Sequence, residues 1–250
     1  MAITVAGRET ETQAIGLSRR RRFVAGDWPL LPLVILVPFV VAALFAELIA
    51  PYDPTFPVPG ATYFLPPAWM DGSNPNALLG TDFQGRDILS RLIYGARVSL
   101  LVGVMGTVVA GSLGTALGIL SGYLGGWVDQ VIMRVTDAWL ALPALVFAIF
   151  LATLLGPSMW NIVTILGLVY WTRYARVIRG EVLSLREREY VKLAEIAGAS
   201  SLRVIMRHIL PNVLNTTMVL ASLTIGVVII AEASLSFLGV GVPPPEPAWG

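Results

Sequence analysis

Cysteine is absent from the 250 residues, and there is a single histidine, His208, and a single lysine, Lys192. Without cysteine there can be no disulfide and no thiolate metal site. One histidine rules out a histidine cluster. A phosphate-cradling loop needs a glycine-rich turn ending in Gly-Lys-Ser/Thr. Lys192 stands between Val191 and Leu193, so the chain has no such ATP site and any hydrolysis of that kind must occur on another subunit. Charge is also scarce. Charged residues make up 13%, about half the share of an ordinary soluble domain.

Apolar residues fill the space. They reach 56%, the mean hydropathy is +0.75, and several runs are long enough to cross a bilayer, which predicts an all-α, polytopic membrane protein. Residues 1–27 read as a cytoplasmic tail ending in Arg19–Arg22, and 28–50 as a first, uncleaved spanning helix. A secretory signal is the competing reading, but the apolar run exceeds the roughly 7–15 residues of a signal core. Residues 51–97 read as an outside loop, dense in proline and glycine, followed by an interfacial helix. That helix would set Ile88, Leu89, Leu92, Ile93 and Ala96 opposite Arg86, Asp87 and Arg91. Residues 98–250 read as the core, with spans near 98–124, 138–155, 159–174 and 213–240. A short polar link at 122–136 and a charged loop at 172–212 interrupt it. The proline-rich end, Val242–Gly250, cannot be helical throughout.

Sixteen of the 17 basic residues are arginine, and they are segregated. With the N-terminus inside, the inner segments hold Arg8, Arg19–Arg22, Arg134 and eight residues of 172–212, against Arg86, Arg91 and Arg97 outside. The positive-inside rule supports that orientation. In the second span Gly106, Ala110, Gly114, Gly118, Gly122 and Gly126 recur every fourth residue. Small residues at this spacing let helix backbones approach closely in lipid, so Gly106, Gly114, Gly118 and Gly122 are expected to pack helices.

In the charged loop, Tyr190, Leu193, Ala194 and Ala197 share one helical face. Gly198 follows as a helix stop. Ser200 or Ser201 can cap a second short helix bearing Leu202, Ile205, Met206 and Ile209, and Pro211 opens the next span. Taken alone, this is a solvated loop packed on its own helices, or an amphipathic helix for lipid or a partner groove.

The order Ala194, Gly198, nine residues, then His208-Ile209-Leu210-Pro211 resembles the EAA loop of ABC importer permeases. Gly198, Leu210 and Pro211 match that pattern. Lys192, Leu193 and His208 depart from it, standing where the family has Glu, Ala and Ile. A second string, Gly80-Thr81-Asp82, Gly85-Arg86-Asp87, Ser90-Arg91, Gly95 and Arg97-x-Ser99-Leu100, resembles the branch of these permeases that carries dipeptides, oligopeptides or nickel. Ala231–Gly239 is similar to that family's fifth-helix string.

The resemblance implies a fold like the transmembrane domain of type I ABC importers, with a sixth span beyond the five visible here. Such a sixth span would be missing by truncation or by natural loss. It implies a peptide permease of the bacterial inner membrane, forming half of the pathway. Its expected partners are a second, homologous permease, two ATPase subunits carrying ATP and Mg, an external solute-binding protein and the lipid membrane. No nucleic acid is expected, and no cofactor, metal or catalytic site in this chain. It also implies a coupling helix that docks into an ATPase through Tyr190, Lys192, Leu193, Ala194, Ala197 and Gly198.

Two carboxylates sit within or beside apolar runs, Glu47 and Glu232. A carboxylate at membrane depth is costly and marks function or a buried hydrogen bond. The competing reading of the whole chain is therefore an ion-coupled secondary transporter or channel using Glu232. A membrane hydrolase is poorly supported, since no nucleophile and base come with an orienting group.

Overall fold

The structure, a computed structural model, describes residues 30–250. The tail 1–27, with Arg19–Arg22, lies outside the described residues. Two compact units divide the chain, one ending at Val37 and the other running Pro38–Gly250.

The chain is helical. Helix α1 is Leu30–Leu44, with Pro38 inside it, and the single turn α2 is Ala46–Ile49. An irregular stretch leads to α3, Ile88–Leu124, followed by α4, Gly126–Leu140, and α5, Ala144–Leu155. Helix α6 is Met159–Arg186, α7 Glu189–Ile196 and α8 Ser201–Val204. A π-helical turn, Ile205–Ile209, joins α8 to α9, Leu210–Phe237. Among the described residues, Ile88–Leu124 and Ser201–Phe237 are each long and apolar enough to cross a membrane. The pair α4 and α5, bent by 92°, would make a third.

The stretch 51–87 has no regular structure, yet it is tightly tied. The Asp82 carboxylate accepts from the Arg86 side chain and from the Gln84 and Arg86 amides, and Arg91 donates to Pro54 O. Partial burial works to raise the Asp82 carboxyl, but these hydrogen bonds and the guanidinium charge outweigh it and hold it below the ordinary carboxylate value. Asp87 caps α3 by accepting from the Ser90 amide at 2.8 Å.

No separate interfacial helix precedes the second span. From Ile88 to Leu124 nothing breaks the helix, because neither proline nor a competing cap intervenes, so the two expected elements are one rod of about 55 Å. Arg86 and Asp87 are buried rather than solvent-facing. The rod stops at Gly125 and Gly126, both at positive φ, a conformation only glycine adopts cheaply. Gly126 therefore begins α4 instead of extending the glycine ridge, and the expected polar link at 122–136 is mostly helix.

Along the ridge α3 lies against α6. A Cβ on Gly118 would meet Ala175 O at 2.8 Å and Ile178 Cβ at 2.9 Å, and one on Gly122 would meet Val182 Cβ at 2.8 Å. Gly114 is closer still, against Trp171 O and Tyr174. Gly106 faces Val228 of α9 at 3.2 Å, so the ridge turns from one neighbour to the other. The core continues the seam with Val102, Ile162, Ile165, Leu166, Tyr174, Val228 and Leu235.

Helix α6 runs on through the charged stretch to Arg186, where the sequence suggested a loop from residue 172. Its charges are accommodated by pairing. Arg179 holds Asp129 of α4 in a two-pronged bond, Nη2 to Oδ2 at 2.6 Å, and Arg176 reaches Asp137 at 2.6 Å. The expected third span, 138–155, is broken at Ala141-Leu142-Pro143, since proline cannot continue the hydrogen-bond ladder of α4.

Candidate functional site

The far end of the rods carries the short helix α7. Arg188 precedes it without a side-chain cap, and Gly198 ends it at φ +83°. The Gly198 amide donates to Glu195 O and the Ala199 amide to Ala194 O, the two bonds of a Schellman closure. Ser200 takes the N-cap position of α8, but its hydroxyl makes no capping bond. Helix α8 does not stand as a second short helix. It passes through the π-turn straight into α9.

Helix α7 is anchored from one side. Val191 is fully buried among Ile119, Tyr123, Ile178, Val182, Val204 and Ile209. The Tyr123 hydroxyl donates to Glu195 Oε1 at 2.9 Å, and Arg186 donates to Tyr123 O at 3.0 Å. These contacts fix α7 to the ends of α3 and α6.

The opposite side is bare and apolar. Leu193 is 64% exposed, Ile196 83% and Leu202 70%, and Tyr190 and Met206 beside them are exposed as well. Ala197 and Gly198 are exposed, and Ala194 is half-buried. Of the residues expected to couple, then, Tyr190, Lys192, Leu193, Ala197 and Gly198 lie outward, while Ala194 packs partly on the body. Lys192 pairs with Glu187 at 2.8 Å, and this hydrogen bond holds Glu187 below its ordinary value. Periodicity missed Val191, the residue that holds the helix, and Ile196, the most exposed. The only signal for Val191 was its place one residue off the chosen face.

Glu232 lies apart from this surface. It is fully buried on α9 and accepts from Ser99 Oγ at 2.8 Å and Ser236 Oγ at 2.7 Å. The Val242 amide donates to Ser236 Oγ, and the Trp249 amide approaches Ser99 Oγ at 3.4 Å. The carboxylate thus joins α3, α9 and the non-helical proline-rich segment through two serines. Glu47, on α2, is exposed and meets Arg97 at 2.9 Å, a surface pair.

These features describe an integral membrane body of packed rods with one apolar helix presented outside it. The chain belongs to the family described as binding-protein-dependent transport system inner membrane component, whose model matches residues 114–250. It is a membrane permease component rather than an enzyme in itself. Among similar proteins is the di/tripeptide transport system permease protein DppC of Pseudomonas aeruginosa (strain UCBPP-PA14), 41% identical over 219 residues, covering 87% of this chain and 72% of that one. A putative peptide transport system permease protein of Brucella suis biovar 1 is 41% identical over 238 residues, 94% of this chain and 74% of the relative. The glutathione transport system permease protein GsiD of Pectobacterium atrosepticum is 37% identical over 211 residues, 84% and 68%.

Proposed function

We propose that this chain forms half of the translocation pathway of an ATP-driven importer of di- or oligopeptides, and that α7 is the element through which separate ATPases move it. One observation carries the coupling role. Helix α7 is fixed to α3, α6 and the α8–α9 rod at its inner side and presents Tyr190, Leu193 and Ile196 to water on the other, with Leu202 of α8 exposed beside them. A compact apolar patch at the tip of an anchored helix is what a partner's groove receives.

The peptide solute is supported by the names of the relatives. ATP and Mg belong to the partner subunits, because the lone Lys192 is not in a phosphate-binding loop. A second, related permease completes the pathway, two ATPases bind below, and an external binding protein delivers the solute. The tail 1–27, the link 122–138 and the stretch 172–212 face the cytoplasm, and 51–97 faces outward, on the distribution of arginine. Glu232 needs no part in coupling, since both its oxygens are occupied by serine hydroxyls that join three segments.

Purification of the tagged chain from its native membrane tests this reading. Recovery with ATPase polypeptides and a second multi-span permease supports it. Recovery alone or as a homo-oligomer, with uptake independent of ATP, overturns it.

A further inference from the structure

Where α4 breaks from α5, the elbow leaves a cavity of about 180 Å³ against the middle of α6. Its walls include Trp139, Leu142 and Phe147 on one side and Tyr170, Thr172 and Arg173 on the other. Thr172 lies about 20 Å along α6 from Met159 at 1.5 Å per residue, where the apolar part of α6 gives way to its charged end.

Two groups in this wall have no hydrogen-bonding or ionic partner among the described residues. A threonine inside a helix ordinarily bonds the carbonyl four residues back. For Thr172 that is Leu168 O, and the Trp139 indole donates to it at 2.8 Å. The Thr172 hydroxyl is left buried with no hydrogen-bond partner among the described residues. Arg173 forms no ion pair among the described residues, and its guanidinium lies over the Tyr170 ring, 5.3 Å from the centroid. Its neighbours Arg176 and Arg179, by contrast, are both matched with aspartates. Arg173 is exposed, so its guanidinium stands open to water or to an anionic ligand.

We propose that this elbow cavity is a solute-contact site of the pathway, with Arg173 receiving a carboxylate of the passing peptide and Thr172 donating or accepting beside it. Trp139, Phe147 and Tyr170 then supply apolar walls that tolerate varied side chains. The larger cleft on the same seam, about 820 Å³ with Arg134 and Arg176 in its lining, gives the solute somewhere to go next. The proposal rests on the peptide reading above.

The test exploits the absence of native cysteine. Thr172→Cys is prepared in the assembled importer with its binding protein, and Leu142→Cys, on the exposed opposite wall, serves as a second reporter should the first fail to assemble. Import of a radiolabelled dipeptide by the wild-type complex is measured first. If there is none, the peptide reading fails and the proposal with it. Given import, modification of the cysteine in this chain is followed by mass with an anionic and a cationic methanethiosulfonate. The anionic reagent is expected to react faster by about tenfold, the low end of what a charge-lined cleft does to on-rates. Arg173→Gln removes the preference, and dipeptide with ATP slows the reaction. Failure to react in both reporters, or reaction with no anion preference and no protection during turnover, overturns the site while leaving the importer reading intact.

Discussion

The seam between α3 and α6 and the outer face of α7 are built on opposite rules. At the seam, glycine lets two backbones meet with no side chain between them. On α7, Leu193 and Ile196 stand largely exposed, away from the body of this chain. In lipid, close packing takes the place of the hydrophobic effect as the force joining helices. Outside lipid, an exposed patch of leucine and isoleucine is an unfinished interface. On the proposed function one region belongs to stability and the other to assembly, and substitutions should separate them.

The sharpest break is Gly118→Leu. Its side chain would be driven into Ala175 and Ile178, and overpacking of this kind costs about 3 kcal/mol or more. The expected outcome is loss of the monodisperse species in fluorescence-detected size-exclusion chromatography, with no change reserved for the ATPase. Ile196→Asp should do the converse. Insertion and thermal stability stay as in the wild type, while ATPase binding measured on the solubilised chain weakens by about tenfold or more, as for a central anchor residue. If Ile196→Asp instead melts the chain, the patch is structural and the comparison fails.

A smaller effect tests the joint between the two regions. A Cβ at Gly198 meets nothing within 4 Å, so Gly198→Ala costs only the backbone strain of φ +83°, about 1 kcal/mol. The expected signature is faster amide exchange in residues 189–199 with the rest of the chain unchanged. Gly198→Val adds β-branching to that strain and should reduce transport further while leaving insertion intact. Smallest of all, Lys192→Ala removes only a solvent-screened surface pair with Glu187. ATPase affinity should stay within about twofold, and a larger fall would move Lys192 from decoration into the interface.

Parts of this division were legible in the sequence. The fourfold glycine spacing needs no partner to be recognised, and Gly198 announces a helix stop from local chemistry alone. What stayed hidden depends on distance or on continuity. Asp129 and Arg179 are 50 residues apart, and nothing local says they meet. The merger of the expected interfacial helix with the second span was missed because charge at Arg91 and Arg97 looks like a boundary, whereas a helix stops only where its backbone is interrupted. On α7, four residues at helical spacing define one face, and only the family resemblance makes it a docking face. The same spacing cannot say which way the helix is turned, and Val191 decides that by being the residue the body buries.

The π-turn at Ile205–Ile209 has a consequence for angle. Successive residues of an α-helix are rotated by about 100°, so Val204 and Ile209, five apart, would point about 140° away from each other in an unbroken helix. Both are fully buried. The widened turn absorbs one extra residue of winding and brings them onto one side. In phase, the segment that begins at Ser201 is thus set one step out from the span that ends at Phe237, although the two share one continuous axis. Deleting a single residue from the turn would keep the rod and its length nearly unchanged, yet rotate Leu202 and Met206 by about a hundred degrees around it. The orientation of the apolar patch is in this sense written in a single surplus residue.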